Sequence, residues 1–270
     1  MKKILLVFAS LNILLACSKV PVTGRKQLDI LPDNMVQEMA FQQYNEFIQT
    51  NQLSGNQSQV AMVKKVGGDI QRAVEKFMYL EGLQKQIKDY KWEFNLVEDK
   101  SINAWAMPGG KVVVYTGILP VAQNEAGLAV VLGHEVAHAI AKHGNERMSQ
   151  ALSAQLGGMA LSVALRDKPE QTRALFMGAY GAGATVGVLL PFSRLQEAEA
   201  DRLGLIFMAM AGYDPRTALE FWPRMNEAAG GGGSTPDFLS THPGYDKRVE
   251  NIKKYLPEAM KYYDPSVSKQ

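Results

Sequence analysis

Apolar positions recur at helical spacing along much of this 270-residue chain. Met35, Met39, Phe41, Tyr44, Phe47 and Ile48 predict a helix over 33–50. Val60, Val63, Val66, Ile70, Val74 and Phe77 predict a second over 57–80. The period then shortens to two. Residues 92–98 alternate as a strand, and 102–107 and 111–116 flank Pro108-Gly109-Gly110 as a hairpin. A denser apolar run from Ala126 to Leu132 follows Asn124, a good helix cap, and predicts a helix that continues to a terminator at Gly144. Leu203, Leu205, Ile206, Phe207 and Met208 mark another helix, and Val249, Ile252, Tyr255 and Leu256 mark a last one, starting near Arg248. Helices dominate and the strands are few. The expected class is α+β, a mostly α-helical single domain with a small sheet beside the helix that starts at Asn124.

That central helix carries His134-Glu135-Val136-Ala137-His138, an H-E-x-x-H signature. Histidines four apart lie about 40° apart around a helix, so both imidazoles can reach one zinc ion. Glu135 can then reach a water molecule at that metal and serve as general base. His143 is nine residues after His134, about 180° around an unbroken helix, and is expected to face away from the metal.

A catalytic zinc site takes three protein ligands. Ala141 and Gly144 stand where an extended H-E-x-x-H-x-x-G-x-x-H pattern needs Gly and His, so the third ligand must come from elsewhere. The best candidate is Glu197, in Glu197-Ala198-Glu199-Ala200-Asp201. Asp201 shares its helix face and can orient a ligating histidine. Glu199 points about 200° away from Glu197 and is poorly placed to share that task. The competing reading of these acids is a solvated helix face near a helix start.

H-E-V-A-H followed by E-A-E-A-D resembles the zinc metallopeptidases of the HtpX and CAAX prenyl protease family, above all their soluble periplasmic lipoprotein members of the BepA and LoiP type. The likeness extends over Pro21-Val22-Thr23-Gly24-Arg25, Asn103-Ala104-Trp105-Ala106-Met107-Pro108-Gly109-Gly110, Val114-Tyr115-Thr116-Gly117, and Thr241-His242-Pro243 with Arg248. Trp105 departs from the Phe or Tyr frequent there. The resemblance implies a gluzincin-type metalloendopeptidase with one zinc ion, ligands His134, His138 and Glu197, and Glu135 as base. It also places His242 and Arg248 near the metal, either stabilising the oxyanion or, for His242, filling the open coordination position. The plainer reading of Thr241-His242-Pro243 is a turn that caps the last helix, after the Gly230–Gly233 run, which is expected to be mobile. By the same resemblance the 102–107 strand lines the cleft, with the backbone around Asn103 and Ala104 pairing with an extended substrate; an ordinary core hairpin is the alternative.

The first residues carry a different kind of signal. Lys2-Lys3 precede a short apolar stretch, Ile4 to Leu15, and Leu14-Leu15-Ala16-Cys17 resembles a bacterial lipobox. Residues 1–16 are expected to be a lipoprotein signal peptide, with Cys17, the only cysteine, lipidated and 17–32 an extended tether. The peptidase domain is then 33–262, with 263–270 a mobile tail. Ser18 after Cys17 carries no inner-membrane retention signal, so the periplasmic face of the outer membrane is expected, with an inner-membrane lipoprotein as alternative. Without Lys2 and Lys3 the formal charge falls from +2 to zero, and no basic stripe is visible, so nucleic acid is not an expected partner. Expected partners are unfolded or misassembled proteins, the membrane through the lipid, and outer-membrane assembly machinery; a chaperone for outer-membrane proteins with latent proteolysis is the alternative function. Ala174 to Leu190 is uncharged and glycine-containing. It reads as a buried helical hairpin or as a segment touching membrane or partner; it is short for a span.

Overall fold

The computed structural model describes residues 17–166, 168–184, 190–230, 237–242 and 245–267. In chain order the elements are β1 (Cys17–Lys19), β2 (Lys26–Leu28), α1 (Asp33–Thr50), α2 (Gln57–Leu80), β3 (Glu93–Val97), β4 (Ala104–Met107), β5 (Lys111–Tyr115), α3 (Leu119–Ala122), α4 (Glu125–Ile140), α5 (His143–Ala164), α6 (Glu170–Ala184), α7 (Leu190–Met210), α8 (Ala218–Gly230), α9 (Asp237–Thr241) and α10 (Tyr245–Ala259). The architecture is α+β and mainly helical, as the periodicity indicates.

Local chemistry explains the main boundaries. Asn56 caps α2, and Val63, Val66, Ile70, Val74 and Phe77 form its buried stripe. Gly109 and Gly110, at φ 87° and 85°, turn β4 into β5, a conformation that side chains resist. β4 and β5 pair antiparallel, with Ala104 opposite Val114, while β3 runs parallel to β5. The strand order β3-β5-β4 leaves β4 at an edge. Asn124 caps α4 by accepting from the Gly127 amide at 3.0 Å. α4 is buried on almost every face, which accounts for its dense rather than periodic apolar run.

α4 packs on α7 with backbones in contact. A Cβ on Gly133 would lie 2.8 Å from the Gly204 carbonyl oxygen, and one on Gly204 would lie 2.9 Å from the His134 nitrogen. This close approach sets the two metal-motif helices side by side.

Two expectations need correction. The helix does not continue to Gly144. α4 ends at Ile140, Lys142 takes a left-handed conformation at φ 57°, and a new helix, α5, starts at His143. Lys142 is held in that turn by Asp33, at 2.6 Å, and Asp29, at 3.6 Å. The segment after Cys17 is likewise folded rather than extended. β1 and β2 pair antiparallel, Val20 is buried, and the Gln27 side-chain amide donates to the Ala141 carbonyl at 2.9 Å. The expected signal peptide, residues 1–16, lies outside the described residues, as does most of the Gly230–Gly233 run. No described helix is long and apolar enough to cross a membrane. Most of the uncharged 174–190 segment falls in α6; within that helix Leu175 and Phe176 are exposed, while 185–189 lie outside the described residues.

Candidate metal centre

α4 presents His134 and His138 from successive turns, and α7 brings Glu197 up against them. The two histidine Nε2 atoms are 3.2 Å apart, and each lies 3.3 Å from a Glu197 carboxylate oxygen. His242, just after α9, joins them: its Nδ1 is 3.3 Å from His134 Nε2 and 3.0 Å from Glu197 Oε1. One ligand atom from each of these four residues falls within 4.8 Å of the others.

The donor set suits a divalent cation bound by nitrogen and oxygen. Glu135, Glu197 and Asp201 are all buried here, and the buried Arg248 guanidinium faces Glu197 and Asp201. Glu135 Oε1 is buried without a hydrogen-bond partner among the described residues, 3.3 Å from His242 Nε2. Burial raises the Glu135 carboxyl above the usual carboxylate range, an effect that the nearby His242 and His134 reduce.

Each ligand candidate is supported from behind. Asp201 Oδ1 stands 3.0 Å from His134 Nδ1, although out of line for a well-formed hydrogen bond. Burial opposes a charge on His134, but Asp201 and Glu197 outweigh it and raise its pKa to about 9. Burial would also raise Glu197; its bonds to His134, His138 and His242 instead hold it far below the carboxylate range. Arg248 donates to Glu197 and, at 3.2 Å, to Asp201, with its guanidinium 4.0 Å over the Trp222 ring. Arg248 is 2 % exposed, and its Nη1 is buried without a hydrogen-bond partner among the described residues. Two of its three nitrogens are thus engaged by the Asp201 and Glu197 carboxylates.

The expectation for His143 is reversed. The break at Lys142 swings it back toward the site, where its Nδ1 is 2.9 Å from His138 Nδ1 and its Nε2 is 3.2 Å from Glu199 Oε2. Glu199 does point away from Glu197, and that direction is where His143 stands. The cleft beside the ligands is a cavity of about 180 Å³ whose walls include Glu135, His138, His242 and Arg147, together with Ala106 and Pro108. The last two belong to the far end of the hairpin strand. Asn103 and Ala104 do not line this cavity, and the Ala104 amide is already bonded to the Asn103 side chain.

A family model for peptidase family M48 matches residues 64–256. The chain belongs to peptidase family M48. This M48 chain is 38% identical over 192 residues to the mitochondrial metalloendopeptidase OMA1 of Schizosaccharomyces pombe, covering 70% of the chain and 53% of that protein. It is 30% identical over 260 residues to the mitochondrial metalloendopeptidase OMA1 of Danio rerio, covering 95% and 54%. It is also 30% identical over 173 residues to the beta-barrel assembly-enhancing protease of Yersinia pestis, covering 60% and 34%. The chain thus spans about half the length, or less, of these relatives. The M48 match contains all four clustered residues, together with Glu135, Asp201, His143 and Arg248, but not Arg25.

Proposed function

We propose that this M48 chain is a zinc-dependent metalloendopeptidase. The observation that carries the reading is the convergence of His134, His138 and Glu197 on one point with the buried Glu135 carboxylate beside it. Bound zinc would supply a Lewis acid that activates water and polarises the scissile carbonyl. Glu135 takes the proton of that water and hands it to the leaving amine. Asp201 and Arg248 hold His134 and Glu197 in place. The backbone of the Ala106–Pro108 end of the edge strand β4 is the surface on which an extended peptide would lie. Backbone pairing reads little sequence, which suits unfolded or misassembled proteins as substrates. Glu135→Gln is expected to lower cleavage of an unfolded casein-type substrate by about 10²–10⁴-fold, with zinc content and fold retained. Activity equal to the parent's would reject the mechanism.

His242 gives the site a resting form in this proposal. Its Nδ1 shares the ligands' point and its Nε2 faces Glu135, so it stands where water and substrate must enter. Movement of His242 would open the centre.

The proposed setting is the periplasmic face of the outer membrane, by a lipid on Cys17. Its support is the Lys2-Lys3 start, the short apolar run and Leu14-Leu15-Ala16-Cys17. The proposed domain limits are 33–262 for the peptidase, after a leader at 1–16. Quality control of envelope proteins is the role this setting suits. The gated arrangement of His242 favours a second reading, assembly of outer-membrane proteins with proteolysis held latent. Full rescue of a null strain's envelope defects by Glu135→Gln would select that reading over the first.

A further inference from the structure

Behind His138 runs a chain of contacts that ends in the segment next to Cys17. Arg25, between β1 and α1, lies between two buried acids. Its Nε donates to Glu199 at 2.9 Å and its Nη1 to Glu146 at 2.6 Å, while Nη2 reaches both carboxylates. Thr23 adds a hydroxyl donor to Glu199 at 2.7 Å. Gln196 adds a donor to Glu146 at 2.7 Å. Val22, a β-branched residue, sits at φ 65°. That conformation is disfavoured for such a side chain and persists where the surroundings impose it. The β1–β2 segment is therefore pinned, and what pins it is bonded to the site.

One assignment of tautomers satisfies all of these contacts at once. The Glu199 carboxylate can only accept, so His143 Nε2 carries the hydrogen. In the neutral imidazole His143 Nδ1 is then an acceptor, and the hydrogen between the two rings belongs to His138 Nδ1. That leaves the lone pair of His138 on Nε2, the atom that faces His134 and Glu197. A metal-ligating histidine needs a partner for its other nitrogen to fix ring orientation and tautomer. Asp201 stands behind His134; behind His138 the same place is taken by an imidazole backed by a carboxylate.

We propose that Arg25, Glu199 and His143 are positioning residues for the metal ligand His138, so that the segment beside Cys17 sets how tightly this chain holds its metal. The inference rests on the reading of His138 as a zinc ligand. It gives Arg25 and Thr23 a role in the site although they lie outside the matched family region.

The test is zinc affinity of the purified full chain, measured by competition with a chromogenic chelator, alongside the melting temperature of the metal-free protein. Arg25→Ala, Glu199→Leu and His143→Leu are each expected to weaken zinc binding by about 10–100-fold. In a His143→Leu background, Arg25→Ala should weaken it no further, because the path runs through His143. Glu199→Gln keeps the side-chain volume and carries the same expectation in direction if the apolar replacement does not fold. A purely structural role would lower the melting temperature and leave zinc affinity unchanged; that result overturns the inference. So does an undiminished Arg25→Ala effect in the His143→Leu background. Zinc binding by the parent chain separates this from the site reading: a parent that binds no zinc sinks both, whereas tight binding untouched by Arg25→Ala sinks this one alone.

Discussion

The two histidines of one motif are supported by different means. His134 is backed by α7, through Asp201 four residues after Glu197, in an interface where Gly133 and Gly204 touch backbone to backbone. His138 is backed across a helix break, by a third histidine and then by a salt-bridged arginine from near the other end of the described chain. One side is a rigid contact between two helices. The other is a polar relay assembled from three separate segments. The same ligand chemistry can thus be fixed by packing or by hydrogen bonding, and the two should fail in different ways.

The largest expected effect breaks the packed side. Gly204→Val forces a side chain into the α4 backbone and should destabilise the fold by about 3 kcal/mol, the upper end for overpacking, read as a fall in melting temperature with and without zinc. Next comes Asp201→Asn, which removes the carboxylate behind His134 while keeping its volume. Zinc affinity should fall about 10–100-fold, with a lower metal-free melting temperature as well, since Asp201 also pairs with the buried Arg248. If zinc affinity falls far less than in His143→Leu, the relay rather than the packed side dominates metal binding. Gly144, by contrast, has open space around its Cβ position at the start of α5. Gly144→Ala should stabilise by about 0.5–1 kcal/mol, so a matched pair of glycine substitutions has opposite signs on the two sides.

The smallest effect lies at the rim of the packed side. Arg202 on α7 bonds Glu258 on α10 at 2.7 Å, and Arg202 holds the Glu258 carboxyl below its ordinary value of 4.5. A depressed carboxylate stabilises the fold above its unfolded pKa, and the gain is lost as pH falls through the folded value. The melting-temperature gap between parent and Glu258→Gln should therefore be present at neutral pH and close in acid, with at most about 1 kcal/mol at stake for so exposed a pair. A gap that widened in acid would contradict that assignment.

The packed side was legible in the sequence because its logic is local. H-E-x-x-H, the four-residue step from Glu197 to Asp201 and the Asn124 cap all follow from a single helical period. The hairpin turn was equally plain, since Gly109 and Gly110 are where left-handed backbone is needed. The relay was hidden by one residue. No glycine or proline marks the break at Lys142, and Gly144, the obvious punctuation, comes two positions late. Counting nine residues around an unbroken helix sent His143 the wrong way. The angle assigned to Glu199 was right, but its apparent idleness was not, because its partner comes from another helix. Arg25 belongs to a motif that likeness alone picked out; contacts 121 and 174 residues away leave no periodic trace. That the cavity is walled by Ala106 and Pro108 rather than by Asn103 and Ala104 was hidden for a similar reason: edge position is visible in a pattern, cavity walls are not.

The span of the Arg25 contacts also bears on how the molecule comes to be made. Closing a 174-residue loop costs on the order of 4–5 kcal/mol of chain entropy, recovered only once α5 and α7 are already in place to offer Glu146 and Glu199. Among the first described residues to leave the ribosome, Arg25 is thus expected to be among the last to settle. A fold finished by its own beginning closes this end of the relay only after the middle of its chain has taken shape.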